Sequence, residues 1–172
     1  MAASRAPETT RDIAPSPRAN PDLLGHEAAE SALRRLFESR RMPHALLLAG
    51  PRGIGKATLA YRFAKFVLAH GTGEVAPLPP SAAGDAGLAI SPESGAFRRV
   101  ASGGHADLLT IERAYDPRRR RLRSEIVVDD AREIAAFFPL TEAEGGWRVV
   151  VVDGADEMNR NAANSLLKIL EE

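Results

Sequence analysis

Seven residues constrain this chain more than any others. Gly50-Pro51-Arg52-Gly53-Ile54-Gly55-Lys56 follows the short apolar run Ala45–Ala49 and opens a stretch, Lys56 to Ala69, in which Leu59, Ala60, Phe63, Phe66 and Val67 recur at helical spacing. Strand, glycine loop and helix in that order make an anion cradle. The glycines let backbone N–H groups turn inward, the helix N-terminus adds its dipole, and the lysine supplies a mobile positive charge. With only three lysines in the chain, a chance match to G-x-x-x-x-G-K is expected in roughly 2% of sequences of this composition. A glycine turn that merely joins strand to helix would share the spacing.

One position departs from the full motif. A serine or threonine normally follows the lysine and offers its hydroxyl to magnesium. Here Ala57 stands in that place and Thr58 comes one residue later. A single helical step turns a side chain by about 100°, so the Thr58 hydroxyl is not expected at the same point. Phosphate binding survives this change better than magnesium-dependent hydrolysis does. A second motif shows a similar loss. Val149-Val150-Val151-Val152-Asp153 reads as a buried strand ending in a carboxylate. Hydrolysis usually needs a neighbouring base to orient water, and the next residue is Gly154. Asp156 and Glu157 lie beyond the strand end, in no direction that spacing fixes.

Other segments predict alternating helices and strands, and with them an α/β fold built on a parallel sheet. Ala28, Ala32, Leu33, Leu36 and Phe37 mark a helix over Glu27–Phe37, and Leu108–Ile111 reads as a second strand. Asp129 or Asp130 is expected to cap a helix through Ile134 and Phe138, and Ala162–Glu172 to form a last one. Residues 1–21 are too poor in large apolar side chains to offset their ordering entropy and are expected to be a disordered tail. Residues 71–105 are rich in Gly, Pro, Ala and Ser and read as a flexible insertion. Residues 113–123 form an arginine-rich loop.

The chain has no cysteine, which removes disulfides, thiolate metal sites and cysteine nucleophiles. Its four histidines are too scattered to suggest a ligand cluster by spacing, although folding could still gather them. Basic and acidic groups balance at 23 each, but residues 1–124 carry 19 basic and 12 acidic groups whereas 125–172 carry 4 and 11. No apolar run is long enough for a transmembrane helix, and no secretory leader is visible, so a cytoplasmic protein with no membrane partner is expected.

Leu23-Leu24-Gly25-His26, the stretch from His44 to Lys56, and above all Asp153-Gly154-Ala155-Asp156-Glu157-Met158-Asn159 with Asn161–Glu172 resemble the clamp-loader subunits of bacterial DNA polymerase III, members of the AAA+ family. The likeness covers about residues 22–70 and 105–172. Ala57 and Gly154 make it more similar to the non-hydrolysing delta prime type than to the gamma/tau ATPases.

The resemblance implies a partial AAA+ P-loop module over residues 22–172, with the family's fourth and fifth strands expected beyond Glu172. The uncapped last helix agrees with a fragment of a chain about twice as long. It implies a clamp-loader subunit of the replicative polymerase, largely a structural partner in placing a sliding clamp on primed DNA. Such a subunit belongs to a DNA-directed DNA polymerase (nucleotidyltransferase) complex without catalysing alone, so no catalytic residue is assigned. The expected partners are delta and gamma/tau subunits in a hetero-pentamer, with clamp and DNA met through that assembly. ATP without efficient hydrolysis is the expected ligand, held by Gly50, Pro51, Arg52, Gly53, Ile54, Gly55, Lys56, Ala57, Thr58 and Asp153. Family members often bind zinc through four cysteines after the loop; with none in 71–105, no zinc and no other metal is expected. The arginine that the family lends to a neighbour from a Ser-Arg-Cys motif maps onto no residue here. Two other readings stay open: an active gamma/tau-type ATPase using Thr58 and Asp156 or Glu157, and an unrelated P-loop kinase or NTPase.

Several side chains are ambiguous from sequence. Arg118–Arg123 suits either nucleic-acid phosphate or a solvated loop. Arg52 suits a nucleotide, a neighbouring subunit or plain exposure. His44 and Trp147 read as packing residues, and Lys168 as solvent-facing near a subunit contact.

Overall fold

A computed structural model describes residues 15–71, 87–140, 143 and 146–171. Along the chain run α1 (Glu27–Glu38), α2 (Lys56–Gly71), α3 (Gly95–Ser102), β1 (Leu108–Ile111), β2 (Tyr115–Asp116), β3 (Arg121–Leu122), α4 (Val128–Phe137), β4 (Val149–Val152), a 3-10 turn at Ala155–Glu157 and α5 (Arg160–Glu171). β1 and β4 pair in parallel, with Leu108 opposite Val149 and Ile111 opposite Val152.

Alternation along these two strands sets the layers. Val149, Val151 and Leu108 face a core made with Tyr61, Ala64 and Leu68 of α2 and Val100 of α3. Val150, Val152, Leu109 and Ile111 face the other way, onto Ile134 of α4 and Leu166 and Ile169 of α5. The sheet is therefore apolar on both sides, as four consecutive valines require. A further cluster joins Leu33 of α1 to Leu59, Phe63, Phe66 and Val67 of α2 and to Leu88. This is the expected α/β arrangement with a parallel sheet.

The capping of α4 differs in detail from expectation. Its N-cap is Val127, and Asp130 reaches back from the first turn to accept the Val127 N–H at 2.8 Å. At the other end Arg148 donates to the carbonyls of Phe137 and Phe138, both at 2.7 Å, and so closes the helix. Asn159 caps α5 by accepting the Ala162 N–H at 2.9 Å.

Three segments behave differently from the sequence reading. Ala45–Ala49 joins no ladder; Leu48 packs on the α1–α2 core, while Leu46 is 42% and Leu47 83% exposed. A strand exists only through its neighbours, and among the described residues none stands beside this run. Residues 1–14 and 72–86, the larger parts of the expected tail and insertion, lie outside the described residues. What is described of both segments is ordered packing. Arg18 pairs with Glu112 at 3.3 Å, Arg62 donates to the Pro21 carbonyl, and Lys65 donates to the Asn20 carbonyl at 3.2 Å, so residues 18–21 lie across α2. Leu88, Ala96, Phe97 and Val100 are buried, so this stretch sends four side chains into the interior while residues 91–93 between them stay exposed. Ser94 caps α3, and Gly103 ends it at φ 76°.

Candidate functional site

The glycine loop has the backbone that its composition predicts. Gly50, Gly53 and Gly55 adopt φ of 154°, 82° and 101°, and the last two lie where a side chain is strongly disfavoured. Helix α2 starts immediately afterwards at Lys56, so the unpaired N–H groups of its first turn open toward the loop. Lys56 Nζ donates to the carbonyls of Gly50 and Pro51, each at 2.9 Å, and so folds its ammonium back over the loop. Pro51, Arg52, Gly53 and Ile54 are exposed, whereas Gly55, Lys56, Ala57 and Thr58 are half-buried.

Two residues ahead of α1 support this loop from behind. His26 donates from Nε2 to the Ile54 carbonyl at 2.7 Å. A Cβ on Gly55 would stand 3.1 Å from Leu23 Cδ1 and 3.5 Å from His26 Nε2, so close packing as well as φ reserves that position for glycine. Sequence reasoning noted Leu23 and His26 only as part of a resemblance. No spacing rule links positions 23–26 to 54–55, and only the folded chain brings them together.

Asp153 ends β4, its N–H donating to the Ile111 carbonyl at 2.9 Å. It lies near Tyr61, one and a half turns into α2. Burial pushes the Tyr61 phenol up, and the nearby carboxylates of Glu112 and Asp153 push the same way. The Tyr61 hydroxyl donates to Thr110 Oγ1 at 3.2 Å, tying α2 to β1. Gly154 follows Asp153 at φ 85°, and Glu157 pairs with Arg113 at 2.8 Å. Asp156 is exposed. His44 and Lys168 are exposed, and Trp147, 42% exposed, lies with its ring 6.3 Å from that of Phe37.

The donor set fits a phosphate better than a magnesium ion. The loop offers N–H groups and an ammonium, while position 57 carries a methyl group in place of a hydroxyl. Among the described residues no group of three or more His, Asp or Glu side chains is placed to hold a metal, and no described helix is long and apolar enough to cross a membrane.

A family model described as DNA polymerase III, delta subunit, matches residues 25–172. Subunit delta' of DNA polymerase III from Pseudomonas aeruginosa is 38% identical over 129 residues, 75% of this chain and 34% of that protein. Subunit tau/gamma from Haemophilus influenzae is 29% identical over 157 residues, 91% of this chain and 20% of that protein. Replication factor C subunit 3 of Arabidopsis thaliana is 27% identical over 157 residues, 90% of this chain and 42% of that protein. This chain thus spans less than half the length of each of these relatives. With the match running from the support of the glycine loop to the end of α5, the chain belongs to the delta-subunit family of DNA polymerase III, on its delta prime side, within the AAA+ clamp loaders.

Proposed function

We propose that this chain is the nucleotide-site module of a clamp-loader subunit of the delta prime type, acting in DNA replication as a largely non-hydrolysing partner. Residues 22–172 form its AAA+ module. Gly50–Thr58 take the phosphates of ATP, with Lys56 exchanging its two carbonyl partners for phosphate oxygens and Asp153 at the margin of the site. The partners are other clamp-loader subunits, delta and gamma/tau, and through them the sliding clamp and primed DNA in the bacterial cytoplasm.

The observation that carries this reading is a complete glycine–lysine cradle with neither a hydroxyl at Ala57 nor a carboxylate at Gly154. Binding and hydrolysis ask for different groups, and the sequence keeps the cradle for the first while lacking two groups that the second ordinarily uses. A second reading is an active ATPase of the gamma/tau type, favoured by the 29% identity to the Haemophilus protein over nearly the whole chain. ATP turnover with magnesium separates the two, measured for the chain alone and with its partner subunits, beside Lys56→Ala. Turnover equal to that of the variant supports the structural partner. Robust turnover lost in the variant makes the chain a motor.

A further inference from the structure

The arginine-rich segment is a hairpin. β2 and β3 pair antiparallel, Tyr115 opposite Leu122 and Asp116 opposite Arg121, and the Arg123 N–H donates to the Ala114 carbonyl at 2.8 Å. Asp116 accepts the N–H groups of Arg118 and Arg119 at 2.9 and 3.1 Å, which fixes the turn from inside. Five arginines therefore project from a defined strand-turn-strand rather than from a loose loop.

Three features distinguish this hairpin from an ordinary solvated one. All five arginines are exposed, and Arg118, Arg120, Arg121 and Arg123 form no ion pair among the described residues; only Arg119 approaches a carboxylate, Asp116 at 3.8 Å. Arg120 sits at φ 52°, a turn position that glycine or asparagine occupies with less strain, and so turns the chain at the tip of the hairpin. Tyr115, 58% exposed, and Leu122, 51% exposed, lie cross-strand from one another and present an aromatic and an aliphatic surface beside the charges.

We propose that the β2–β3 hairpin binds single-stranded DNA, its arginines tracking the phosphates and Tyr115 stacking on an unpaired base. A polynucleotide presents anions in regular succession, which a run of arginines follows more readily than it follows scattered carboxylates. Guanidinium forks match phosphate oxygens, and base stacking on an exposed aromatic is the usual companion of such a strip in single-strand binders. The contact is independent of nucleotide at Gly50–Lys56 and stands or falls separately from that reading.

The test is fluorescence anisotropy of a labelled oligothymidylate with the full chain, between about 50 and about 200 mM salt. Four arginines without ion pairs should give a log–log salt slope of about −3, from about −0.7 per phosphate contact on a single strand. Replacing all five arginines by alanine should weaken binding at least about tenfold at the lowest salt and flatten the slope. Replacing them by lysine should keep the slope, which guards against a misfolded alanine variant. Tyr115→Ala should weaken binding about tenfold with the slope unchanged, and Arg40→Ala with Arg41→Ala should change neither. Wild-type affinity in the five-alanine variant, or no binding by the wild type, overturns the proposal. So does tighter binding of duplex DNA with no effect of Tyr115→Ala, which would mean backbone contact to a double helix. Equal competition by polyglutamate overturns it in favour of an acidic protein partner.

Discussion

The Glu157 carboxylate fills the space that a side chain on Gly154 would need. A Cβ built on Gly154 would come 2.8 Å from Glu157 Oε2 and 3.1 Å from its carboxyl carbon, while Arg113 holds that carboxylate from the other side at 2.8 Å. The residue after Asp153 is thus glycine for two reasons, φ of 85° and occupied volume. Restoring a carboxylate with Gly154→Glu should therefore damage the fold and leave activity unrestored. The left-handed backbone costs about 1–2 kcal/mol for a non-glycine residue, and displacing a half-exposed ion pair adds up to about 1 kcal/mol. Urea unfolding should show a loss of about 1–3 kcal/mol in sum, with no gain in ATP turnover. A variant as stable as the wild type would contradict the left-handed backbone at Gly154.

Lys65 gives the stability a measurable pH dependence. It is 2% exposed, its ammonium 4.0 Å from the centre of the Phe97 ring and bonded to the Asn20 carbonyl. Burial, with the neighbouring Arg62 charge adding to it, lowers its pKa to about 8. The unfolded lysine stays protonated up to about 10.4. Between these values the unfolded chain binds more protons, so stability rises with pH from about 8 upward, by at most about 1.4 kcal/mol per pH unit. Below pH 8 the full cost of burying the charge remains. In Lys65→Met this rise should vanish, and the variant should be relatively most stable near pH 7. Chemical denaturation at pH 7, 8 and 9 reads the difference; parallel curves would show that Lys65 is not buried as a cation.

Leu88 tests whether the region after the glycine loop's helix belongs to the core. It is fully buried among Leu33, Leu59, Phe63, Phe66 and Val67, and its N–H donates to Glu30 Oε2 at 3.0 Å. Leu88→Ala should cost about 3 kcal/mol, from lost burial and the cavity left behind. Leu47→Ala, at a residue 83% exposed, should stay within about 0.5 kcal/mol. Equal effects at the two positions would contradict the packing.

These results also show which parts were legible in the residues. The glycine loop, α2 and β4 were readable because each carries a local signal: glycine spacing, helical periodicity, and a run of β-branched residues. Leu88 and Phe97 were hidden because they sit in a Gly/Ala/Ser-rich context and are buried by distant partners, Leu88 by α1 and α2. Ala45–Ala49 failed in the opposite sense, since its composition is that of a strand but pairing depends on neighbours the described residues do not supply. Support of the loop by Leu23 and His26, and the Arg113–Glu157 pair, arise from contacts between segments far apart in sequence. Charge in residues 113–123 was visible, whereas the turn that organises it depends on Asp116 accepting two N–H groups.

Lys56 separates a working phosphate cradle from an inherited shape. Its two bonds to the Gly50 and Pro51 carbonyls lie at the exposed face of the loop and are worth about 1 kcal/mol or less in net stability. Lys56→Ala should therefore melt within a few degrees of the wild type. A nucleotide bound as proposed would draw on the same ammonium, and its affinity should fall at least about tenfold in the variant, because a charge-assisted contact to phosphate is lost. Ligand linkage makes this visible without any hydrolysis. At an ATP concentration of about 100 times its Kd, the wild type gains about 2.7 kcal/mol and its Tm rises. Under the same conditions the variant should gain about half as much or less, since a tenfold weaker Kd removes about 1.4 kcal/mol. Thermal melts with and without ATP, in the absence of magnesium, supply the comparison. A wild-type Tm that ATP leaves unmoved would make the loop a structural relic, its glycines kept for the turn and its lysine for the two carbonyls.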